Sequence, residues 1–479
     1  MVRPNIVDNL KRGLDGEKNI NPASNNPEVA QAIAKYNVNR RDEGEDYAKR
    51  EFESLHKTIV TYYGKRDLAK RILEIQPFYY DESKNWWRWD TNNLFWELID
   101  ETDILNIVEH LAIYNTVNSK EKNEILEALK QESRKHKPEE MKKTWIQFDK
   151  IIYDIQTGDK IAAIPLYFTT NPIPYKLSLS NFENTPTMDI IFEEWVGKDH
   201  IKTLYEIIAY CLLPYYPINR LFCFVGAGLN GKSCFLNLLK KFIGKNNCCS
   251  TELDLLLASR FEVTRLHKKL VCMMGETNFG EIKNTSILKK LTGGDLIGFE
   301  YKNKNPFQDT NYAKICISTN NLPSTTDKTI GFYRRWMIID FPNQFSEQKD
   351  ILSIIPEEEF ESLALKSCSI LKELLEKRTF TNDGSIEDRI KRYEEKSNFL
   401  DKFIKDFIEE DVNGIITKAE LHKRFTKWCK ENRHREVSEI TLSKNMKDRG
   451  FEGSTKHFEW MNDGRGGNAR VWLGLKWKD

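Results

Sequence analysis

The sequence predicts an α/β fold with several buried strands in one sheet, and three observations lead there. A short apolar run at 221–225 is followed by a glycine-rich stretch, then by apolar residues at helical spacing. Further apolar runs end near residues 274, 319 and 340, without the alternation of a half-exposed strand. A helical pattern separates the first run from the second. At 479 residues the chain exceeds one compact core. The expected division is a flexible lead-in at 1–45, an α+β module at 46–185, the sheet unit at 186–378, and a linker helix with a small C-terminal module at 379–479.

Composition narrows the function classes. Lys plus Arg number 73 against 72 Asp plus Glu, for a net charge of +1, so a polyanion contact needs local clustering. No apolar segment approaches a membrane span and residues 1–47 hold no signal-peptide core, so the expected location is cytoplasmic, with no membrane partner. The nine cysteines form no C-x-x-C pair and no Cys/His cluster at zinc spacing, which fits reduced thiols and no zinc site.

Residues 1–45 are rich in Asn, Asp, Pro and Gly and read as weakly ordered. Helical spacing begins at 48–71. The segments 78–89 and 93–96 read as aromatic-rich strands around a polar turn at 81–84, with helices at 103–114 and 119–134 and another strand at 151–158. Trp86, Trp87, Trp89 and Trp96 beside Lys84 and Arg88 have two readings, a stacking platform for single-stranded bases or a packed core, and packing is favoured.

A helical stretch at 189–216 leads to the apolar run and then to Gly226, Ala227, Gly228, Leu229, Asn230, Gly231, Lys232 and Ser233. These fit G-x-x-x-x-G-K-[ST] at every fixed position, between a strand and a helix carrying Phe235, Leu236, Leu238, Leu239 and Phe242. Such a P-loop turns its backbone N–H groups onto phosphates, its Lys reaches the β- and γ-phosphates, and its hydroxyl ligates Mg²⁺. ATP and Mg²⁺ are therefore expected. A second strand within 267–277 ends at Glu276, where a carboxylate can polarise an attacking water or stand solvated. The segment 288–295 holds a glycine pair, and 299–307 reads as strand, basic turn and strand, with Lys302 and Lys304 at the tip. A third buried strand ends at Thr319-Asn320, and Arg334-Arg335 directly precede a fourth.

Helices follow at 353–377 and 386–409. The C-terminal module then reads as helix (418–431), helix (441–449) and two strands around a turn at 462–468, the order of a winged helix. Lys444, Lys447 and Arg449 on its second helix, with Arg465 and Arg470 on the hairpin, suit phosphate contacts or a solvated face.

The ordered set resembles the superfamily 3 helicases, in particular the helicase part of phage, plasmid and poxvirus-type primase–helicases. Gly226 to Ser233 with Asn230 before Gly-Lys, Glu276, Leu291-Thr-Gly-Gly-Asp295, Asn320 and Arg335 carry the resemblance. Residues 154–158 and 169–174 look like that family's pre-helicase module. The resemblance implies an AAA+-like core, ATP hydrolysis, and 3′–5′ movement on single-stranded and forked DNA by a hexamer. It implies that Glu276 activates water, Asn320 is the sensor, Arg335 is the finger reaching a neighbour's ATP, and Lys302 and Lys304 grip DNA. Gly275 stands where many members have a second acid, which leaves a direct Mg²⁺ carboxylate open. The segment before residue 80 is too short for a primase domain, so a separate primase or polymerase is expected, or the chain is a fragment. Alternatives of other classes are an origin-melting initiator without processive unwinding and a small-molecule phosphotransferase.

Overall fold

The computed structural model describes residues 65–111, 119–177, 183–275, 282, 284–302, 305–346, 350–397, 399–431, 437–458 and 466–478. They divide into two compact units, one drawn from Met1–Leu177 with Gly298–Asp309, the other from Ser178–Ile297 with Thr310–Asp479. The fold is mixed α/β with a parallel sheet.

In the first unit, α1 (Lys65–Ile75) precedes an antiparallel sheet of β1 (Phe78–Tyr80), β2 (Trp86–Asp90) and β3 (Phe95–Ile99). Two helices follow, α2 (Glu101–Leu111) and α3 (Ser119–Ser133). The tryptophans of this sheet are core. Alternation along β2 sends Trp86 to one face, with Leu68, Ile72 and Ile104, and sends Trp87 and Trp89 to the other, with Tyr79 and Trp96. All four are at most 3% exposed, which removes them as a stacking platform. The indole N–H of Trp87 donates to Asp81 at 2.9 Å and that of Trp96 to the Tyr167 carbonyl at 3.1 Å. Five short strands complete this N-terminal stretch: β4 (Glu139–Glu140), β5 (Trp145–Phe148), β6 (Ile151–Asp154), β7 (Lys160–Ala162) and β8 (Tyr167–Phe168). β5, β6 and β7 form an antiparallel sheet, and β4 pairs with β8.

The second unit begins with α4 (Pro186–Val196) and α5 (Ile201–Tyr210). Its sheet takes β9 (Leu221–Val225), β10 (Cys248–Ser250), β11 (Val271–Met274), β14 (Lys314–Thr319) and β15 (Trp336–Asp340) in the spatial order β10-β11-β14-β9-β15, every pair parallel. β9 and β14 are buried at every position, as continuous apolar runs between covered faces should be. Helix α6 (Lys232–Ile243) leaves the glycine loop and buries Phe235, Leu236, Leu238, Leu239, Phe242 and Ile243. Short helices α7 (Leu253–Ala258), α8 (Arg260–Thr264) and α9 (Ser286–Leu291) fill the crossovers. The predicted hairpin, whose residues Gly298–Asp309 group with the first unit, is present as β12 (Leu296–Phe299) paired with β13 (Phe307–Thr310), beginning earlier than its aromatic residues suggested. Helix α10 (Ile330–Tyr333) precedes β15, and α11 (Glu357–Lys377) follows it.

The C-terminal part corrects one reading. The helical run expected at 386–409 divides into α12 (Ile386–Ser397) and α13 (Phe399–Phe407), and a strand begins at Ile408. That strand, β16 (Ile408–Thr417), pairs antiparallel with β18 (Gly467–Trp477), which also holds β17 (Gly453–Phe458). The sequence reading missed β16 because it is largely exposed and irregular. Its register shifts between Glu410 and Ile415, leaving Val412 98% exposed. Helices α14 (Lys418–Glu431) and α15 (Glu439–Asp448) match expectation within two residues and bury Leu421, Phe425, Trp428, Leu442 and Met446 against Phe403 and Trp472.

Candidate functional site

Parallel strands place all their carboxyl ends on one edge of a sheet, and in open α/β sheets ligands bind there, where the strand order reverses. β9 lies at that reversal: the chain leaves it for the far edge, returns through β11 and β14, and crosses it to β15. Register aligns the ends, with Val225 beside both Thr319 and Asp340. The glycine loop, Asn320 and Phe341 thus emerge side by side.

Their side chains meet. Lys232, the first residue of α6, is 6% exposed. Its ammonium donates to Asn230 Oδ1 at 2.7 Å, to Asn320 Oδ1 at 3.4 Å and to the Gly226 carbonyl. Asn230, also buried, donates through Nδ2 to the Phe341 carbonyl at 3.1 Å and so ties the loop to the end of β15. Gly226 is obligatory, because a Cβ there would overlap the Asn230 amide and the Phe341 carbonyl. Gly231 is obligatory twice over: its φ is +89°, and a Cβ would run into the Trp195 indole beneath it. Leu229 holds a φ of 51°, costly for a bulky residue, with its carbonyl fixed by the Phe345 N–H at 2.7 Å. Gln344 reaches the Ala227 and Gly228 carbonyls at 3.4 Å, and Asn343 donates to the Glu194 carbonyl at 2.7 Å. Residues 343–345 therefore strap the outside of the loop. Sequence reasoning missed this strap and Trp195, since contacts to backbone carbonyls leave no pattern in side-chain identity.

The remaining expected residues divide. Ser233 lies exposed on the first turn of α6. Glu276 and Lys304 lie outside the described residues, and Lys302 is exposed on the turn of the β12–β13 hairpin. Arg335 sits at the amino end of β15, where its carbonyl accepts from Leu221 N–H at 2.7 Å. That edge is opposite the loop, about 16 Å away along five residues of strand. Its guanidinium is turned inward, donating to Thr292 Oγ1 at 2.8 Å, to the Lys289 carbonyl at 3.1 Å and to the Gly331 carbonyl. It is 6% exposed, whereas its neighbour Arg334 is exposed. The Leu291-Thr292-Gly-Gly-Asp295 segment is thus the collar of Arg335.

Asp327 braces that collar. Despite burial, hydrogen bonds from Lys289, Thr285 and Thr329 hold its carboxyl well below the usual carboxylate range, and the Lys289 ion pair spans 2.6 Å. Lys314, at the start of β14, is fully enclosed and donates to the Leu213 and Tyr312 carbonyls at 2.5 and 2.8 Å. Burial lowers its pKa to about 7. Among the described residues no group of three or more His, Cys, Asp or Glu side chains could hold a metal ion.

Comparison with known proteins gives three findings. A family of unknown function (DUF5906) matches residues 224–335, the stretch from the loop strand to Arg335. A protein named "Putative helicase L207/L206" from Acanthamoeba polyphaga mimivirus is 24% identical over 226 residues, which are 46% of this chain and 21% of that protein. This chain therefore spans about a fifth of that relative's length. Among solved structures, the A form apo structure of the NrS-1 C terminal region aligns at a TM-score of 0.44 with 14% identity, over 85% of this chain and 98% of that one. A second apo structure of the same region (305–718) gives 0.42 at 15% identity, over 85% and 98%.

Proposed function

We propose that this chain is an ATP-driven DNA helicase of viral, phage or plasmid replication. The observation that carries the proposal is the buried Lys232 ammonium, held by Asn230 and Asn320 behind a glycine loop at the switch point of a parallel sheet. On this reading residues 186–378 are an AAA+-like P-loop core and 379–479 a linker with a winged helix. The distant resemblance to a viral protein named a helicase points to replication chemistry of the same general kind.

In this reading the loop N–H groups and Lys232 take the triphosphate, and Lys232 exchanges its amide oxygens for phosphate oxygens. Mg²⁺, when bound, draws charge from the β- and γ-phosphates, and the exposed Ser233 hydroxyl is the residue that suits it. Asn320 is proposed to sense the γ-phosphate, a reading supported by its contact with Lys232. Glu276, two residues beyond the end of β11, is proposed as the base that orients the attacking water. An arginine at the opposite edge cannot serve its own loop, so the Arg334-Arg335 pair acts on a neighbouring copy in a ring, proposed as a hexamer. Lys302 and Lys304 are proposed to track single-stranded DNA.

Strand displacement tests the reading. The full chain with ATP and Mg²⁺ should unwind a duplex bearing a 3′ single-stranded tail and leave a 5′-tailed duplex paired. ATP hydrolysis without displacement of either substrate would favour an origin-melting ATPase instead.

A further inference from the structure

Helix α12, which the sequence reads as part of a charged run, is fastened to both ends of β15. Spacing of three and four puts Arg389, Arg392, Tyr393 and Lys396 along one side of it. At the carboxyl end of β15, Asp340 accepts from Arg392 at 2.9 Å and pairs with Lys396 at 2.7 Å. Despite burial, Lys396 and Arg392 hold the Asp340 carboxyl below the usual carboxylate range. Asp340 stands in register with Val225, the last residue before the glycine loop.

The same helix holds the segment that begins at Asn320. Leu322 N–H donates to the Lys396 carbonyl at 3.3 Å, and the Tyr393 hydroxyl donates to the Pro323 carbonyl at 2.8 Å. Tyr393 is 1% exposed. Its ring packs edge-on against Phe332, Tyr333 and Trp336, with centroids 5.3, 5.4 and 4.9 Å away. Those three residues flank Arg334 and Arg335. Glu394, next along α12, accepts from the Tyr333 hydroxyl at 3.3 Å and pairs with Lys328 at 3.4 Å. One side chain thus touches the Asn320 segment through its hydroxyl and the arginine segment through its ring.

We propose that Tyr393 is a positioning residue coupling the Asn320 segment to the Arg334-Arg335 segment, with the Asp340 pairs to Arg392 and Lys396 fixing α12 as their shared support. A buried carbonyl left without its donor is costly, so the Tyr393 hydroxyl sets where the chain runs after Asn320. A close-packed ring cluster shifts between discrete arrangements and does not yield gradually. Movement at Asn320 therefore either breaks the Tyr393 bond or carries the arginine segment with it. The proposal rests on the nucleotide-site reading above and adds its regulation: nucleotide sensing in one copy is tied to the arginines that copy offers to its neighbour.

The test compares the full-length parent with Y393F, D340N and K232A, measuring ATP hydrolysis, ATPγS affinity and hydrogen exchange. Y393F removes one hydroxyl and keeps the ring cluster, and urea unfolding checks its fold. It should lower kcat at least ~10-fold while ATPγS affinity stays within about twofold, the split expected of a group that acts after phosphate capture. D340N, at a part-exposed pair, should lower kcat in the same direction without weakening ATPγS binding, and it decides the outcome where Y393F does not fold. In the parent, ATPγS should slow exchange at both 320–323 and 330–335; in Y393F the slowing at 330–335 should be lost. A purely structural tyrosine would shift the unfolding midpoint and leave kcat of the folded protein unchanged. Parental kcat in folded Y393F, or ATPγS protection of 330–335 that survives in it, would overturn the coupling while K232A still abolishes hydrolysis. A parent that does not hydrolyse ATP, or a K232A variant as active as the parent, would instead mark failure of the nucleotide-site reading, and the proposal would fall with it.

Discussion

Asn230 holds the candidate nucleotide site together. It bonds Lys232 on one side and the Phe341 carbonyl on the other, so it sets both the lysine and the height of the loop above the sheet. N230A should weaken ATP-analogue binding about tenfold, near 1.4 kcal/mol, read by titration calorimetry. Affinity equal to the parent's would show that the glycine backbone alone positions Lys232. The two arginines separate in the same way. R335A removes a buried guanidinium from three acceptors and should cost on the order of 3 kcal/mol in urea unfolding. R334A should leave folding intact and abolish ATP hydrolysis if the exposed member is the one that reaches a neighbour. Normal hydrolysis by R334A would return the trans role to Arg335, released from its collar. Sequence singled out the loop glycines, Lys232 and Asn320 from strand-end and loop patterns, and the structure brings these residues together. It could not foresee the burial of Arg335, whose acceptors are a hydroxyl and carbonyls dispersed between residues 289 and 331.

At the level of elements, β14 carries a titration that stability should report. Lys314 is fully enclosed at its first position, with a pKa near 7 against 10.5 for an exposed lysine. Between those values the unfolded chain binds a proton that the folded chain does not, so stability rises with pH. The upper bound is set by buried thiols. Burial pushes Cys248 up to about 12, and Cys223 and Cys368 upward too, so above pH 9 the unfolded chain ionises first and the trend turns. From pH 7 to 9 the parent should gain on the order of 2 kcal/mol in chemical denaturation, and K314M should not. A parallel pH profile in K314M would assign the rise to other groups. Elements with continuous apolar runs, β9, β11, β14 and β15, were legible, since both faces of a parallel sheet are covered. β16 was not, because its acidic residues face solvent and Gly414 admits the close approach of the Leu475 carbonyl that a side chain would block.

Among the described residues, two compact units accompany a candidate nucleotide site at the strand ends of the parallel sheet. No helix among the described residues is long and apolar enough to cross a membrane. The order of motifs was readable because each stands at a strand end or a helix start, where sequence punctuation is strongest. Assembly was not, because a ring depends on surfaces whose residues look like any solvated face. The central claim is that ATP and DNA are handled by one coupled machine. Steady-state ATP hydrolysis with and without single-stranded DNA, beside K232A, tests it most directly. Single-stranded DNA should stimulate hydrolysis severalfold or more, and K232A should abolish it. A rate indifferent to DNA, or one that survives in K232A, would contradict the claim.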